Sequence, residues 1–559
     1  LVYLISASDI PYFAYFFKHI NSSIFEWFGY AGTTAGMILG ESAYYLSIGL
    51  FLLFLAGFIV WLVCLARYFH RRSLTISASF PFWKRGVVVL VGASLIGLYI
   101  FGIRGRTGYN PIKVSAAYFC QDAFLNQLGV SPTFNLLTSV MDDMRPENKY
   151  LHLMDEQEAI TKAQALLNRQ GEVAVSPLAV YRHASKADSV QQGRPNVVLI
   201  MMESMSSKLM KHFGQSETLT PFLDSLYTRS ISFRNFYSAG IHTNHGLYAT
   251  LYSFPAMMKR NLMKGSVIPR YSGLPTVLKE NGYYNLFFMT HEGQYDNMNA
   301  FFRTNGYDEV FSQENYPADK VVNSFGVQDD FLYDYAIPVL NQRAATGEPF
   351  FATLLSISNH PPYVIPPFFH PKTSEPEMQI VEYADWALRK FFEEARKQPW
   401  FDNTIFVLEG DHGKLVGDAE CELPESYNHI PLMIYSSRIH PEEKNTFGGQ
   451  VDIQPTILGL LNIDYLQNNF GVDLLKEERP CMFYTADNMI VGRNDTLLYL
   501  YNYETQQEFT YHIDNGKLKA VPMDDRFLPL KEYSFSMLQS AEFLVKHGKT
   551  VNTVPFTQQ

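Results

Sequence analysis

Residues 404–413 read TIFVLEGDHG, an apolar run that is followed at once by Asp411 and His412. Three further runs have the same form: residues 197–202 end at Glu203, residues 285–289 end at Thr290-His291, and residues 350–357 end at Ser358-Asn359-His360. Continuous apolar runs of this length are typical of strands buried on both faces of a sheet. The four runs therefore predict the central strands of one sheet.

Helix-like segments separate these runs, at residues 218–229, 272–281 and 380–397. Alternation of strands and helices predicts an α/β fold, with a parallel sheet flanked by helices. In such open sheets, ligands bind beyond the carboxyl ends of the strands. The polar residues that follow the four runs therefore predict the functional site.

Composition excludes several classes of protein. The chain has 559 residues, which suggests roughly three or four domains, and its 47% hydrophobic and 15% aromatic residues are enough to fill a core. A formal net charge of −10 opposes nucleic-acid binding, which needs a basic surface. The four cysteines form no CxxC pair, which excludes a disulfide scaffold and a zinc finger. The sequence leaves open whether Cys421 and Cys481 pair.

Two uncharged, apolar stretches near the start predict transmembrane helices. Residues 43–66 and 86–103 are long enough to cross the hydrocarbon core of a bilayer. The loop between them carries five basic residues and no acidic one. Under the positive-inside rule this loop is cytoplasmic, so the chain after residue 104 is extracytoplasmic. The alternative is a buried hairpin of a soluble domain, which the one-sided charge opposes.

Residues 1–17 are apolar and aromatic but contain Asp9 and Pro11. They are interpreted either as the end of a further membrane helix or as an interfacial helix. Because the sequence opens with Leu rather than Met, we expect a segment upstream of it. Neither main span holds an ionisable residue, which disfavours a channel or transporter.

The order of domains follows from these patterns. Asp155 is the expected N-cap of a helix over residues 155–168, and residues 182–195 form a polar linker. Asn515-Gly516, between two strand-like runs, predicts a hairpin. The predicted domains are transmembrane helices at 1–103, a membrane-surface connector and linker at 104–195, an extracytoplasmic catalytic domain at 196–491 and a small C-terminal subdomain at 492–559.

Glu203, Asp411 and His412 form the main chemical constellation. Two carboxylates with an imidazole suit Mn²⁺, Mg²⁺ or Zn²⁺. On the residues alone, Glu203 is equally an N-cap or a buried acceptor, and Asp411-His412 an ordinary turn.

Several segments together resemble the lipoteichoic acid synthases. The matching segments are NVVLIMME (196–203), TLTPFLDSL (218–226), GIHTNHG (240–246), EGDHG (409–413), NHIPLMI (428–434) and DIQPTIL (452–458). The resemblance covers most of residues 196–470 and, more loosely, 1–150. It implies an alkaline-phosphatase/sulfatase-like fold with an extracytoplasmic catalytic domain behind membrane helices.

The resemblance also implies residue roles. Thr243 would be the nucleophile that attacks a phosphodiester phosphorus and forms a phosphothreonine intermediate. Glu203, Thr243, Asp411 and His412 would hold one divalent cation, expected to be Mn²⁺, with Mg²⁺ or Zn²⁺ as alternatives. A bound cation lowers the pKa of the threonine hydroxyl and stabilises charge on the phosphoryl oxygens.

Histidines complete the predicted substrate site. By the resemblance, His291 and His360 lie near the substrate, and His360 protonates the leaving alkoxide and later deprotonates the acceptor hydroxyl. His429 is a further candidate for a phosphate or metal contact. On the residues alone, Thr243 is also compatible with a loop hydroxyl, and His360 with a turn residue before Pro361-Pro362.

Two departures from relatives limit the substrate. Residues 244–247 do not supply the x-Pro-x-Arg sequence that formylglycine formation requires, so sulfate ester hydrolysis is disfavoured. Lipoteichoic acid synthases carry a Trp and an Arg shortly after the residue that matches His291, whereas residues 295–299 contain neither. The headgroup pocket is therefore altered, and Arg303 is a candidate for the missing cation.

The main functional hypothesis is a membrane-anchored, metal-dependent phosphotransferase, multi-pass in the cell membrane. It would move a phosphoglycerol-type headgroup from a phospholipid donor to a glycan or lipid hydroxyl. Phosphoethanolamine transfer and phosphodiester hydrolysis are alternatives within the superfamily. A catalytically silent envelope scaffold is the alternative from another class, which the retention of all four predicted ligands opposes.

Overall fold

The computed structural model describes residues 1–16, 19–22, 24–25, 44–73, 81–120, 123–145, 150–167, 173–174, 180–182, 194–265, 268–514 and 516–551. The chain divides into two compact units. The first comprises Leu1–Pro146 with Gly265–Val267, and the second Glu147–Lys264 with Ile268–Gln559.

The first unit is helical where it is described. Its helices are α1 Val2–Phe16, α2 Tyr45–Ser73, α3 Phe82–Arg104, α4 Ala123–Leu128 and α5 Pro132–Asp143. Two stretches, Tyr45–Arg71 and Phe82–Arg104, are long and apolar enough to cross a membrane, and both predicted spans coincide with them. The most apolar part of each stretch is not buried against the described residues, contrary to what a soluble hairpin requires.

The helix predicted near the start is found as α1, Val2–Phe16. The carboxylate of Asp9 accepts hydrogen bonds from His19 Nδ1 at 2.7 Å and the Ile20 backbone N–H at 2.8 Å. Ile5 and Tyr12 pack against Leu136 of α5. The acidic residue that interrupts this apolar segment is therefore satisfied inside the unit, and the membrane or interfacial placement of α1 stays a prediction.

The second unit is built on an eight-stranded sheet. Its helices are α6 Glu156–Leu167, α7 Pro221–Tyr227, α8 Thr243–Tyr252, α9 Leu274–Glu280, α10 Met298–Thr304, α11 Asp329–Ala344, α12 Pro376–Ala395, α13 Ile453–Leu460 and α14 Leu528–Lys546. Its strands up to residue 467 are β1 Val173–Ala174, β2 Val180–Arg182, β3 Asn196–Met202, β4 Ile231–Tyr237, β5 Tyr284–Met289, β6 Glu309–Phe311, β7 Phe350–Leu355, β8 Thr404–Gly410, β9 Leu432–Tyr435, β10 Glu442–Gly449 and β11 Tyr465–Gln467.

The strand order of the large sheet is β10-β4-β9-β8-β3-β7-β5-β6. The four predicted strands are its contiguous centre, β8-β3-β7-β5, and they pair in parallel as predicted. Among the described strands of this sheet, β9 alone runs antiparallel to its neighbours. The three predicted helical segments are confirmed as α7, α9 and α12. A short sheet, β1-β2-β11, lies apart from it.

The register of the central strands positions the functional residues. Met202 at the end of β3 pairs with Gly410 at the end of β8. Glu203 and Asp411 are the next residue on each strand, so two acidic side chains leave neighbouring strands at the same edge. The loops after β7 and β5 leave from that edge as well, because those strands are parallel to β3.

The C-terminal part forms a five-stranded antiparallel sheet. Its strands, in spatial order, are β12 Met482–Ala486, β13 Met489–Arg493, β14 Leu497–Asn502, β15 Gln507–Asp514 and β16 Lys517–Ala520. The predicted hairpin is confirmed by the pairing of β15 with β16. Cys421 and Cys481 are both free thiols, so they do not pair.

Helix α14 joins the two ends of this unit by packing on both α6 and β13. Its Glu542 accepts the Leu151 backbone N–H at 3.1 Å, and its Lys546 contacts Glu156 of α6 at 2.8 Å. Asp155 caps α6 as predicted, because its Oδ1 accepts the backbone N–H groups of the first turn at 2.9 and 3.0 Å.

A buried carboxyl, Asp385, links α12 to α7 and gives a pH-dependent prediction. It accepts the backbone N–H groups of Phe222 and Leu223 at 3.0 and 2.9 Å. Burial raises the pKa of Asp385 to about 7, with the nearby Asp224 raising it and Arg389 lowering it. Between the unfolded value of about 4 and this folded value, only the folded state keeps the proton.

Stability should therefore fall as pH rises from about 4 through about 7, by up to about 1.4 kcal/mol per pH unit for this group. We expect the difference in melting temperature between Asp385→Asn and the wild type to grow in favour of the variant from pH 5 to 8. Asp402→Asn, at an exposed carboxyl, is the matched control. If the melting temperatures of the wild type and Asp385→Asn changed in parallel over this pH range, the raised pKa of Asp385 would be contradicted.

Candidate active site

Asp411 and Glu203 are fully buried at the edge of the sheet. Asp411 Oδ1 accepts the backbone N–H groups of Ser204 at 2.8 Å and of His412 at 2.7 Å. Its other oxygen, Oδ2, is buried and has no hydrogen-bond partner among the described residues. An unsatisfied carboxylate oxygen is costly to bury, so this atom is placed to receive a cation.

Ser204 orients both carboxylates. Its backbone adopts the left-handed conformation, with φ at 50°, which turns the chain sharply at the end of β3. In this conformation its N–H reaches Asp411 and its hydroxyl donates to Glu203 Oε1 at 2.6 Å. Backbone strain of this kind is maintained where a site needs it.

His412 presents one ring nitrogen to the acidic pair. Its Nδ1–H donates to the Gly413 carbonyl at 2.8 Å, which leaves Nε2 as the basic atom. Nε2 lies 3.6 Å from Asp411 Oδ2 and 3.8 Å from Glu203 Oε1. Ligand atoms of these three residues all lie within 4.8 Å of one another. A carbonyl that fixes the tautomer in this way is the usual outer partner of a metal-binding histidine.

The electrostatics of this cluster suit a divalent cation. Burial, and after it the charge of Asp411, raises the pKa of Glu203 well above its ordinary range. Two buried carboxylates repel each other unless a cation lies between them. The two carboxylates, the free imidazole nitrogen and the orphaned Oδ2 atom together fit such an ion.

Thr243 is the first residue of α8, and its hydroxyl lies 3.4 Å from Glu203 Oε2. Gly246 permits this approach, because a Cβ at that position would lie 2.3 Å from the Asp411 carbonyl oxygen. The amino end of α8 therefore packs directly on the turn after β8. A helix amino end attracts anions through its free N–H groups, so an anionic group is favoured beside Thr243.

Parts of the sequence are similar to a known family model and to known proteins. A protein-family model described as Sulfatase matches residues 195–463. Lipoteichoic acid synthase 1 of Bacillus subtilis (strain 168) is 25% identical over 354 residues, which is 58% of this chain and 54% of that protein. Lipoteichoic acid synthase 2 of the same strain is 24% identical over 315 residues, or 51% of this chain and 47% of that protein. The chain thus spans about half the length of these relatives.

Two solved structures have folds similar to that of this chain. A protein in the alkaline phosphatase superfamily from Vibrio parahaemolyticus has a TM-score of 0.64 and 25% identity, covering 72% of this chain and 98% of its own. In sequence and fold the chain is similar to the sulfatase/alkaline-phosphatase superfamily. The lipoteichoic acid synthase LtaP from Listeria monocytogenes shares the fold at a TM-score of 0.57, with 20% identity over 69% of this chain and 98% of its own. Its sequence resembles those of lipoteichoic acid synthases, and the predicted fold is confirmed.

The loop after β7 is hydrogen-bonded to the turn that carries Glu203. Asn359 Nδ2 donates to the Glu203 and Ser204 carbonyls at 3.2 and 3.1 Å. His360 follows it, partly exposed, with its Nδ1 2.6 Å from the Pro361 carbonyl. The loop is therefore fixed beside Glu203, and the ring of His360 extends from it.

A row of rings connects the two predicted substrate histidines. His291 is buried after β5 and its ring lies 4.7 Å from that of Tyr295, centroid to centroid. Tyr295 lies 6.2 Å from Phe325, and Phe325 lies 4.1 Å from His360. Burial lowers the pKa of His291, which favours its neutral form. His291 and His360, the two predicted substrate contacts, thus lie at the two ends of this row of rings.

The contacts described for the other two predicted substrate residues lie elsewhere. Arg303 Nε donates to Asn299 Oδ1 at 2.8 Å and Arg303 Nη2 to the Val310 carbonyl at 3.4 Å, on α10 and β6. His429 bonds to the Arg234 carbonyl at 2.8 Å and packs beside Tyr237, at 5.2 Å between ring centroids. Both contact sets are structural, and the substrate roles of these two residues stay predictions.

The sequence interpretation missed Lys414. Its Nζ donates to Asn359 Oδ1 at 2.8 Å and lies 5.2 Å from the centre of the Tyr363 ring. Burial lowers the pKa of Lys414 to about 8, so it still carries its charge at pH 7. A lysine directly after the EGDHG segment was the available signal, but the spacing of Lys414 and Asn359 in sequence gives no hint that they meet.

Proposed function

We propose that this chain is a membrane-anchored, metal-dependent phosphotransferase that acts outside the cytoplasmic membrane. Its donor is a phospholipid with a phosphoglycerol-type headgroup, and its acceptor is a hydroxyl of an envelope glycan or lipid. The observation that carries the proposal is the position of the Thr243 hydroxyl, 3.4 Å from Glu203 in the acidic cluster. The lipoteichoic acid synthases among the relatives support the substrate class.

The proposed site holds one divalent cation, Mn²⁺ for this mixed donor set, between Glu203, Asp411, His412 and Thr243. When bound, such an ion lowers the pKa of a coordinated hydroxyl and stabilises negative charge on phosphoryl oxygens. The unpartnered Asp411 Oδ2 and the free Nε2 of His412 support this ligand set.

In the proposed first half-reaction, Thr243 Oγ1 forms a bond to the donor phosphorus while the bond from phosphorus to the diglyceride oxygen breaks. The proton leaves Oγ1 toward Glu203 Oε2, the atom it faces in the structure. His360 protonates the diglyceride oxygen. In the second half-reaction, His360 removes the proton of the acceptor hydroxyl, whose oxygen forms a bond to phosphorus while the bond from phosphorus to Thr243 Oγ1 breaks. Glu203 returns its proton to Oγ1, which restores the threonine hydroxyl.

The two apolar helices fit an enzyme whose donor is a membrane lipid. A lipid donor would remain in the bilayer while its headgroup reaches the extracytoplasmic site, as the basic loop between the spans predicts. The absence of x-Pro-x-Arg after Thr243 favours phosphoryl over sulfuryl substrates despite the match to the Sulfatase model.

The test is peptide mapping by mass spectrometry after incubating the full chain with Mn²⁺ and mixed phosphatidylglycerol/phosphatidylethanolamine vesicles. We expect a phosphoglycerol adduct on Thr243 together with released diglyceride. A phosphoethanolamine adduct would reassign the headgroup, and diglyceride release without an adduct or acceptor product would indicate a hydrolase. No adduct and no diglyceride would contradict the proposal and favour the scaffold.

A further inference from the structure

Lys414 makes no ion pair with a carboxylate of the described residues, although the charges of Glu377 and Glu203 act on it from beyond that distance. Among the described residues, no carboxylate oxygen lies within 4.0 Å of its Nζ. Other partly exposed lysines have such partners: Lys208 with Glu420 at 3.1 Å, Lys264 with Asp296 at 2.8 Å and Lys390 with Asp334 at 2.7 Å. An ammonium group has three N–H donors, and Lys414 donates one hydrogen bond to Asn359. It therefore keeps donors for a ligand.

Asn359 fixes this ammonium group relative to the acidic cluster. Its amide oxygen accepts from Lys414 Nζ at 2.8 Å, while its amide nitrogen donates to the Glu203 carbonyl at 3.2 Å. The Tyr363 ring supports the ammonium from another side, at 5.2 Å. A lysine side chain loses much rotational freedom when held in this way, and packing alone does not require its charge.

Charge balance indicates what the ligand is. Glu203 and Asp411 together carry the two negative charges that balance one divalent cation. Lys414 then presents an ammonium group that has no carboxylate at ion-pair distance among the described residues, although Glu377 acts on its charge from farther away. A phosphodiester carries one negative charge on its two non-bridging oxygens, so its charge matches that of Lys414.

We infer that Lys414 binds a non-bridging phosphate oxygen of the substrate. The inference rests on the proposed function for its substrate class. Two hydrogen bonds of Arg303, the candidate from sequence, go to Asn299 and the Val310 carbonyl on α10 and β6. Lys414 reaches the site from the turn after β8 instead, next to the ligand His412.

Calorimetry on the Mn²⁺-loaded full chain tests the inference, with inorganic phosphate and glycerol phosphate as separate probes in a Thr243→Ala background. Lys414→Met should weaken binding of both probes at least about tenfold, the loss of one charge-assisted contact. Lys414→Arg should restore most of it, and Mn²⁺ affinity should stay unchanged in both variants. Lys390→Met is the matched control, because Lys390 also lies over an aromatic ring, that of Trp386 at 5.8 Å.

Unchanged probe binding in Lys414→Met would overturn the inference, as would a parent protein that binds neither probe at millimolar concentration. Equal losses in Lys414→Met and Lys390→Met would also overturn it, because the effect would not belong to this lysine. Lys414-dependent binding of glycerol phosphate but not of phosphate would identify a headgroup contact as part of the site. Lys414-dependent binding in a protein whose Thr243 is never labelled by lipids would uphold the inference and reject the proposed phosphotransfer.

Discussion

Asp411→Asn is expected to abolish high-affinity Mn²⁺ binding, with a loss of more than about 100-fold. Loss of outer partners alone costs 10- to 100-fold at metal sites, and this change removes a ligand charge. The amide oxygen can still accept the Ser204 and His412 N–H groups that Asp411 Oδ1 accepts, so the turn after β8 should persist. Calorimetric titration with Mn²⁺ measures the affinity directly.

The melting temperature of Asp411→Asn gives a second test of the same ligand. Without metal, Asp411→Asn should melt no lower than the wild type, because it removes the repulsion that helps to raise the pKa of Glu203. With saturating Mn²⁺, only the wild type should gain melting temperature. Asp418→Asn, at an exposed carboxylate on the same segment, is the matched control. Wild-type Mn²⁺ affinity in Asp411→Asn would remove Asp411 from the ligand set.

Thr243→Ala is expected to lower headgroup transfer at least about 10³-fold, because removal of a covalent nucleophile leaves only the binding and electrostatic contributions. Thr243→Ser keeps a hydroxyl in the same place and should retain measurable transfer with a serine-linked adduct. Diglyceride release from phosphatidylglycerol vesicles gives the rate, and peptide mass gives the adduct.

The matched control for Thr243→Ala is Thr228→Ala, at an exposed threonine whose hydroxyl bonds only to the Ser225 carbonyl among its described contacts. Mn²⁺ affinity of Thr243→Ala should stay within about tenfold of the wild type, since three stronger ligands remain. Undiminished turnover in Thr243→Ala would assign the nucleophile to another group.

The central fold could be predicted because its strands are buried on both faces and read as uninterrupted apolar runs. Other strands of the same sheet could not. The outermost strand β10 has the sequence EEKNTFGG, and as an edge strand it exposes charged residues that resemble a loop. Strand β9 has only four residues, too few for a periodic pattern.

Some residues of the candidate site could likewise be predicted from the sequence, and others could not. Glu203, Asp411 and His412 were predictable because they follow the ends of strands, and parallel strand ends meet at one edge. The pairing of Lys414 with Asn359 was not predictable, since it joins two loops 55 residues apart in sequence through their conformations. The left-handed backbone of Ser204 likewise has no sequence signal, because serine seldom adopts it.

The packing of α6 on α14 has a consequence for how the chain is made. Helix α6 ends at Leu167 and its partner begins at Leu528, so some 360 residues must be synthesised before the two can meet. At about 5–20 residues per second, the apolar face of α6 stays without its partner for tens of seconds until α14 is made. Ribosome-stalled chains that end before α14 should therefore remain sensitive to protease across α6, and release of the full chain should protect it.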